Sequence, residues 1–114
     1  MIGFQKFIAM GIVKDEPKVF NAGASRKAQV RLEVPRTYVD KDGNQKSVTD
    51  RIDVTFWGKN ADRAEFVTAG SWIYVEGRYA TDSYNDKSGN KVWKNYINAD
   101  VLQTAVQVQE EAPY

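Results

Sequence analysis

The sequence contains no cysteine and no histidine. The first absence excludes a disulfide framework and any thiolate metal site. The second removes the commonest general base, the Ser-His and Cys-His pairs and most transition-metal sites. Long apolar runs are missing as well: no stretch approaches the ~20 apolar residues of a membrane span. Met1 is not followed by a basic flank and an apolar core, so no signal peptide is expected and a cytoplasmic location is. An excess of one charge is also lacking, since 16 Lys+Arg stand against 15 Asp+Glu for a net charge of +1. A strong basic balance often marks a nucleic-acid binder. Here any affinity for a polyanion must come from where the charges sit. Asp and Glu remain for acid–base work. No paired-carboxylate motif, phosphate-cradling loop or metal constellation accompanies them, so neither an enzyme nor a cofactor or metal site is expected.

The 114 residues suffice for one domain with an ordinary core. Strand patterns dominate them. Phe7 to Val13 is apolar on both faces, which predicts a strand covered on both sides, by its own core and by a second sheet or subunit. Lys14 to Pro17 reads as a turn, Lys18 to Phe20 as a short edge strand, and Asn21 to Gly23 as another turn. Ala28, Val30, Leu32 and Val34 alternate with Lys27, Gln29, Arg31 and Glu33, a strand with one dry and one wet face. Pro35 predicts that this strand leaves central pairing there. Further strands follow at Ile52 to Trp57, at Trp72 to Arg78 and around Ile97 to Val101.

One helix is expected between Asn60 and Ala69, with Asn60 as its cap, Ala61, Ala64 and Val67 on its buried side and Gly70 just beyond its end. Strands, one helix and more strands predict an all-β chain with one short helix: a five-stranded Greek-key barrel of the oligonucleotide/oligosaccharide-binding (OB) type. Two segments, Tyr38 to Asn44 and Tyr84 to Asn90, share the pattern Y-x-D-K-x-G-N. Each predicts the tip of an extended β-hairpin, one after the second long strand and one after the fourth. The domain is expected to cover 1–103, with a flexible tail over 104–114.

A ligand for loops and polar strand faces of this composition is single-stranded nucleic acid. Its phosphates need cations and its unstacked bases need flat aromatic faces, each worth ~1–3 kcal/mol by stacking. The two residue types are interleaved here. Arg36 flanks Tyr38; Arg51 and Lys59 flank Trp57; Arg78 precedes Tyr79; Lys87, Lys91 and Lys94 surround Tyr84 and Trp93. Trp57 is out of phase with Ile52, Val54 and Phe56, which favours ligand contact over plugging the barrel end. Tyr38 and Tyr84 are candidates for stacking or for packing within their own hairpins, and Trp93 divides evenly between those two roles. Trp72 and Tyr74 face outward without neighbouring cations, which favours burial in an interface.

These segments resemble the bacterial-type single-stranded DNA-binding proteins, of chromosomal, plasmid or phage origin. The resemblance runs from about Phe7 to Leu102 and is carried by KFIAMGIVKDEP, TDRIDVTFWGKNAD, FVTAGSWIYVEGRY and SYNDKSGNKVW, in that order and spacing. It implies an OB barrel, assembled as a homotetramer or else a dimer, that coats single-stranded DNA in replication, recombination and repair. By that likeness Tyr38, Trp57 and Tyr84 fall on the family's stacking positions, and Arg51 stands where relatives carry a mid-strand aromatic. It also implies that Phe7, Ile8, Trp72 and Tyr74 bury one subunit against another. The terminal Glu110, Glu111, Pro113 and Tyr114 mimic the family's acidic Pro-Phe tip, which recruits replication and repair enzymes; the other reading is a frayed polar terminus. The alternative function is that of a primosomal or recombination accessory subunit on the same barrel, acting through protein partners.

Overall fold

The computed structural model describes residues 1–104. In chain order the elements are β1 (Phe7–Val13), β2 (Lys18–Ala22), β3 (Ser25–Val39), β4 (Gln45–Trp57), α1 (Lys59–Ala64), β5 (Trp72–Asn85) and β6 (Lys91–Thr104). Their order in the sheet is β1-β5-β6-β4-β3-β2, and β1 also pairs with β3 through Ile12↔Glu33 and Val13↔Leu32. That last pairing closes β1, β3, β4, β6 and β5 into a five-stranded barrel, with β2 as a short flap on the outside of the cycle. All neighbours are antiparallel except β4 and β6, which run parallel at Val54↔Ile97 to Phe56↔Ala99. The expected OB barrel is the fold observed.

The core follows from strand alternation. Ala28, Val30 and Leu32 of β3, Val54 and Phe56 of β4, Ile73 and Val75 of β5, and Ile97, Ala99 and Leu102 of β6 point inward and are buried. Phe56 is the largest fully buried side chain. Truncating such a residue to alanine typically costs about 3–5 kcal/mol, through lost transfer energy plus a cavity. Helix α1 closes one end of the barrel with Ala61 and Ala64, both fully buried. Arg26 of β3 clamps it there, donating to Asp62 Oδ1 at 2.7 Å and to Glu65 Oε1 at 2.8 Å.

Several local expectations are corrected. The helix spans Lys59–Ala64 and not Asn60 to Ala69, with Gly58 at its N-cap position and no side-chain cap. The Asn60 amide instead donates to the Asp100 carbonyl at 3.0 Å, tying the helix to β6. Val67 is buried, but it follows the helix, and the Gly70 N–H donates to the Val13 carbonyl rather than closing the helix end. Pro35 does not end β3, because it pairs with Thr49 within a continuous β3–β4 ladder. Beyond Glu33 the strand has β4 on one side only, so a residue without an N–H can be carried at little cost. The turn expected at Asn21 begins instead at Gly23, since Asn21 and Ala22 still pair with Arg26 and Ser25. Phe7 is partly buried and packs against the barrel core, and Ile8 next to it is exposed.

Both arms of each long hairpin leave the barrel as ordered ribbons. The β3–β4 ladder runs from Lys27↔Trp57 to Val39↔Gln45, and the β5–β6 ladder runs to Asn85↔Lys91. The two tips share one construction. Asp40 Oδ1 accepts from the N–H groups of Asp42 and Asn44, and Asp86 Oδ1 accepts from those of Ser88 and Asn90. Gly43 and Gly89 then take φ of 82° and 83°, a conformation nearly free of strain only for glycine. The repeated Y-x-D-K-x-G-N pattern is therefore a repeated Asx-stabilised turn.

Candidate nucleic-acid interface

Strand alternation sorts the candidate residues onto faces. On β3 and β4 the outward phase carries Lys27, Gln29, Arg31 and Glu33 opposite Trp57, Thr55, Asp53 and Arg51. Trp57 stands at the end of β4 with 40% of its surface exposed, while Phe56 beside it is fully buried. The outward reading of Trp57 agrees with this geometry. Lys27 lies directly opposite, its Nζ 5.5 Å from the indole centroid, and covers one side of the ring. Such a contact is worth about 0.5–1 kcal/mol at an exposed site and holds the ring in place.

Next to this pair the outer face carries a groove. Asp15 and Glu16 from the β1–β2 turn, Lys18 of β2, Gln29, Arg31, Asp53 and Lys94 line it. Thr55, outward in phase yet only 4% exposed, lies at its base. Its charges are mixed: Arg31 is held by Asp53 at 3.4 Å, whereas Lys18 and Lys94 have no carboxylate partner among the described residues.

Tyr38 sits in the opposite phase, in line with Val30, Leu32 and Val34. Past Val34 the ribbon has left the barrel, so this face is open and Tyr38 is exposed. On the second hairpin Tyr84 pairs with Val92 and Trp93 with Ser83. The two aromatics therefore face opposite sides of the ribbon, and Trp93 does not pack against Tyr84. Both are exposed, at 56% and 61%. Lys91 Nζ lies 4.6 Å from the Trp93 ring centroid. Tyr84 shares its face with Arg78, Asp82, Lys94 and Tyr96. The Tyr96 hydroxyl donates to Asp82 Oδ2 at 2.8 Å, and partial burial together with that bond raises its pKa.

The candidate phosphate contacts divide into two groups. Arg36 is bound to Asp50 at 2.8 Å, and Arg51 approaches Glu33 at 3.6 Å. Lys59, Arg78, Lys87, Lys91 and Lys94 make no ion pair among the described residues and remain open to an anion. Sequence reasoning overlooked Lys27. The signal was available in its alternation with Ala28, but its significance depends on the β3–β4 register that sets it against Trp57.

The interface candidates Phe7, Ile8, Trp72 and Tyr74 lie on β1 and β5. On the outer face of β1 and β5, Ile8 pairs with Glu76, Met10 with Tyr74 and Ile12 with Trp72. Ile8, Met10 and Trp72 are exposed at 57%, 51% and 39%, a contiguous apolar patch. One edge is polar: Lys6 Nζ is 2.8 Å from Glu76 Oε1, and the Tyr74 hydroxyl donates to Glu76 Oε2. The bonds from Lys6 and Tyr74 lower the Glu76 pKa, and the same bonds raise those of Lys6 and Tyr74. Glu110, Glu111, Pro113 and Tyr114 lie outside the described residues.

A family model described as the single-strand binding protein family matches residues 4–107. The chain is 31% identical over 102 residues to a single-stranded DNA-binding protein of Helicobacter hepaticus, covering 88% of this chain and 60% of that one. It is 29% identical over 102 residues to the corresponding protein of Wolinella succinogenes, covering 88% and 63%. The chain thus spans about three-fifths of the length of these relatives. Among solved structures, the Plasmodium falciparum SSB in complex with ssDNA superposes with a TM-score of 0.84 at 18% identity, covering 93% of this chain and 98% of that one. The likeness of fold and the match along nearly the whole barrel agree: this chain belongs to the single-strand binding protein family.

Proposed function

We propose that this chain binds single-stranded DNA without sequence preference and protects strands exposed during replication, recombination and repair in the cytoplasm. The observation that carries the reading is the set of four exposed aromatic rings, Tyr38, Trp57, Tyr84 and Trp93, each on a strand or hairpin that also carries cations. Bases stack on the rings, and Lys59, Lys87, Lys91, Lys94 and Arg78 neutralise phosphates. Arg36 and Arg51 join them by exchanging a carboxylate for a phosphate. The relatives' descriptions as single-stranded DNA-binding proteins support the same substrate. The process is equilibrium binding, with no bond made or broken.

The apolar patch of Ile8, Met10 and Trp72 supports assembly of identical subunits, a homotetramer. Several copies would join their modest basic tracks into one path, which is how a chain of net charge +1 binds a polyanion. The tail residues Glu110, Glu111, Pro113 and Tyr114 are proposed to recruit replication or repair enzymes.

The test is titration of tryptophan fluorescence with poly(dT). Quenching at low salt that weakens as salt rises is expected. No quenching, or equal affinity for duplex DNA, would sink the reading. Light scattering tests assembly: Met10→Lys is expected to lower the particle mass, and an unchanged mass would place the interface elsewhere.

A further inference from the structure

The register of β2, β3 and β4 lines up three side chains that no sequence pattern connects. Phe20 of β2 pairs with Lys27 of β3, and Lys27 pairs with Trp57 of β4. All three share the outward phase, because the neighbouring Ala28 and Phe56 lie in the core and Val19 packs against it. Phe20 is 45% exposed and Trp57 is 40% exposed. Adjacent strands lie about 4.8 Å apart, so the two rings spring from points roughly 10 Å apart with the lysine midway. Lys27 forms no ion pair among the described residues, whereas its neighbour Arg26 is fully occupied by Asp62 and Glu65.

An aromatic, a cation and an aromatic in one row across a sheet match the repeat of a polynucleotide: base, phosphate, base. An exposed phenylalanine on an edge strand is otherwise a liability, since it offers an apolar surface beside unpaired backbone groups. The next row on the same face carries Lys18, Gln29 and Thr55, which lead into the groove lined by Lys94. The row therefore opens onto a groove of mixed charge, in which Lys18 and Lys94 make no ion pair among the described residues.

We propose that Phe20 is a base-stacking residue and Lys27 a phosphate contact, so that the bound strand crosses from β4 over β3 onto β2. The proposal rests on the single-stranded DNA-binding reading and adds to it a direction of travel and two residues. It commits the flap strand β2 to the binding surface.

The experiment measures binding of a fluorescently labelled oligo(dT) by anisotropy, for the wild-type chain and for Phe20→Leu, Phe20→Trp and Lys27→Met. Phe20→Leu keeps apolar bulk and loses the flat ring; about 5- to 100-fold weaker binding is expected. Phe20→Trp keeps a stacking face and is expected to bind at least as tightly as wild type. Lys27→Met should flatten the slope of log affinity against log salt by about 0.7, the loss of one phosphate. Thermal melts confirm that each variant is folded. Should wild type bind no oligo(dT), the DNA-binding reading itself falls. Should wild type bind while Phe20→Leu binds within about two-fold of it, the proposal alone is overturned. It is also overturned if Phe20→Leu changes the particle mass in light scattering at unchanged affinity, since Phe20 would then cover a second copy.

Discussion

Arg36 Nε donates to Asp50 Oδ2 at 2.8 Å across the β3–β4 ribbon. Both side chains are about half exposed, so the pair contributes only about 0–1 kcal/mol to folding. Its larger effect falls on binding. A phosphate that approaches Arg36 competes with a carboxylate already in place and is repelled by it. Asp50→Asn frees the guanidinium and removes one negative charge from the proposed path. Tighter binding of oligo(dT) at low salt is expected, by a few-fold, with a salt slope steeper by up to about 0.7. Stability should change by less than about 1 kcal/mol. Weaker binding in this variant would mean that Asp50 positions Arg36 rather than competing for it.

Trp57 and Phe56 are adjacent and divide two tasks between them, one ring in the core and one outside it. Trp57→Ala is therefore expected to weaken binding of oligo(dT) by about 5- to 100-fold, the worth of one stacked base. Its loss of melting temperature should be smaller than that of Phe56→Ala, since the half-covered indole and its Lys27 contact are lost but no core cavity opens. Trp57→Phe should retain most of the affinity. A melting temperature that drops while affinity stays would assign Trp57 to the fold instead.

Much of this was legible in the sequence, and the reason is burial. Ala28, Val30 and Leu32, or Ile73 and Val75, alternate because one face of each strand is dry, and the same alternation placed Trp57 outside. The hairpin arms between Pro35 and Arg51 show no such pattern, because neither face is buried and the ladder is held by backbone pairing with the Arg36–Asp50 bond across it. Asn60 resembled a cap because the local sequence cannot reveal that the Asp100 carbonyl waits for its amide. The pairing of Arg36 with Asp50, the opposite faces of Tyr84 and Trp93, and the row through Lys27 all depend on register. Register is a property of two strands, and single-strand periodicity does not contain it.

Gly77 marks a close approach of β5 to β6. It sits at the register shift between β5 and β6, and a Cβ there would collide with the Asn98 carbonyl and lie 2.7 Å from the Ala99 Cα. These are backbone atoms of a paired strand, which cannot rotate away. Gly77→Ala is expected to destabilise the fold by about 1–3 kcal/mol, in the range of overpacking, and by the upper end of it. Urea unfolding measures this. A loss below about 0.5 kcal/mol would mean that β6 shifts to admit the methyl.

Glu76 makes stability depend on pH with a definite sign. The bonds from Lys6 and Tyr74 favour its charged form, so its folded pKa lies below its unfolded one. A carboxylate of this kind stabilises the fold above its unfolded pKa, and the contribution disappears as pH falls through the folded value. Glu76→Gln cannot titrate. The variant is expected to melt lower than wild type near neutral pH and to lose less of its melting temperature between about pH 6 and about pH 3. Because Glu76 borders the patch of Ile8, Met10 and Trp72, the proposed assembly of identical subunits should also loosen over that acid range, and light scattering reads this directly. Parallel pH profiles for variant and wild type would assign the acid sensitivity to carboxylates elsewhere, with Asp62 and Glu65 on Arg26 next in line.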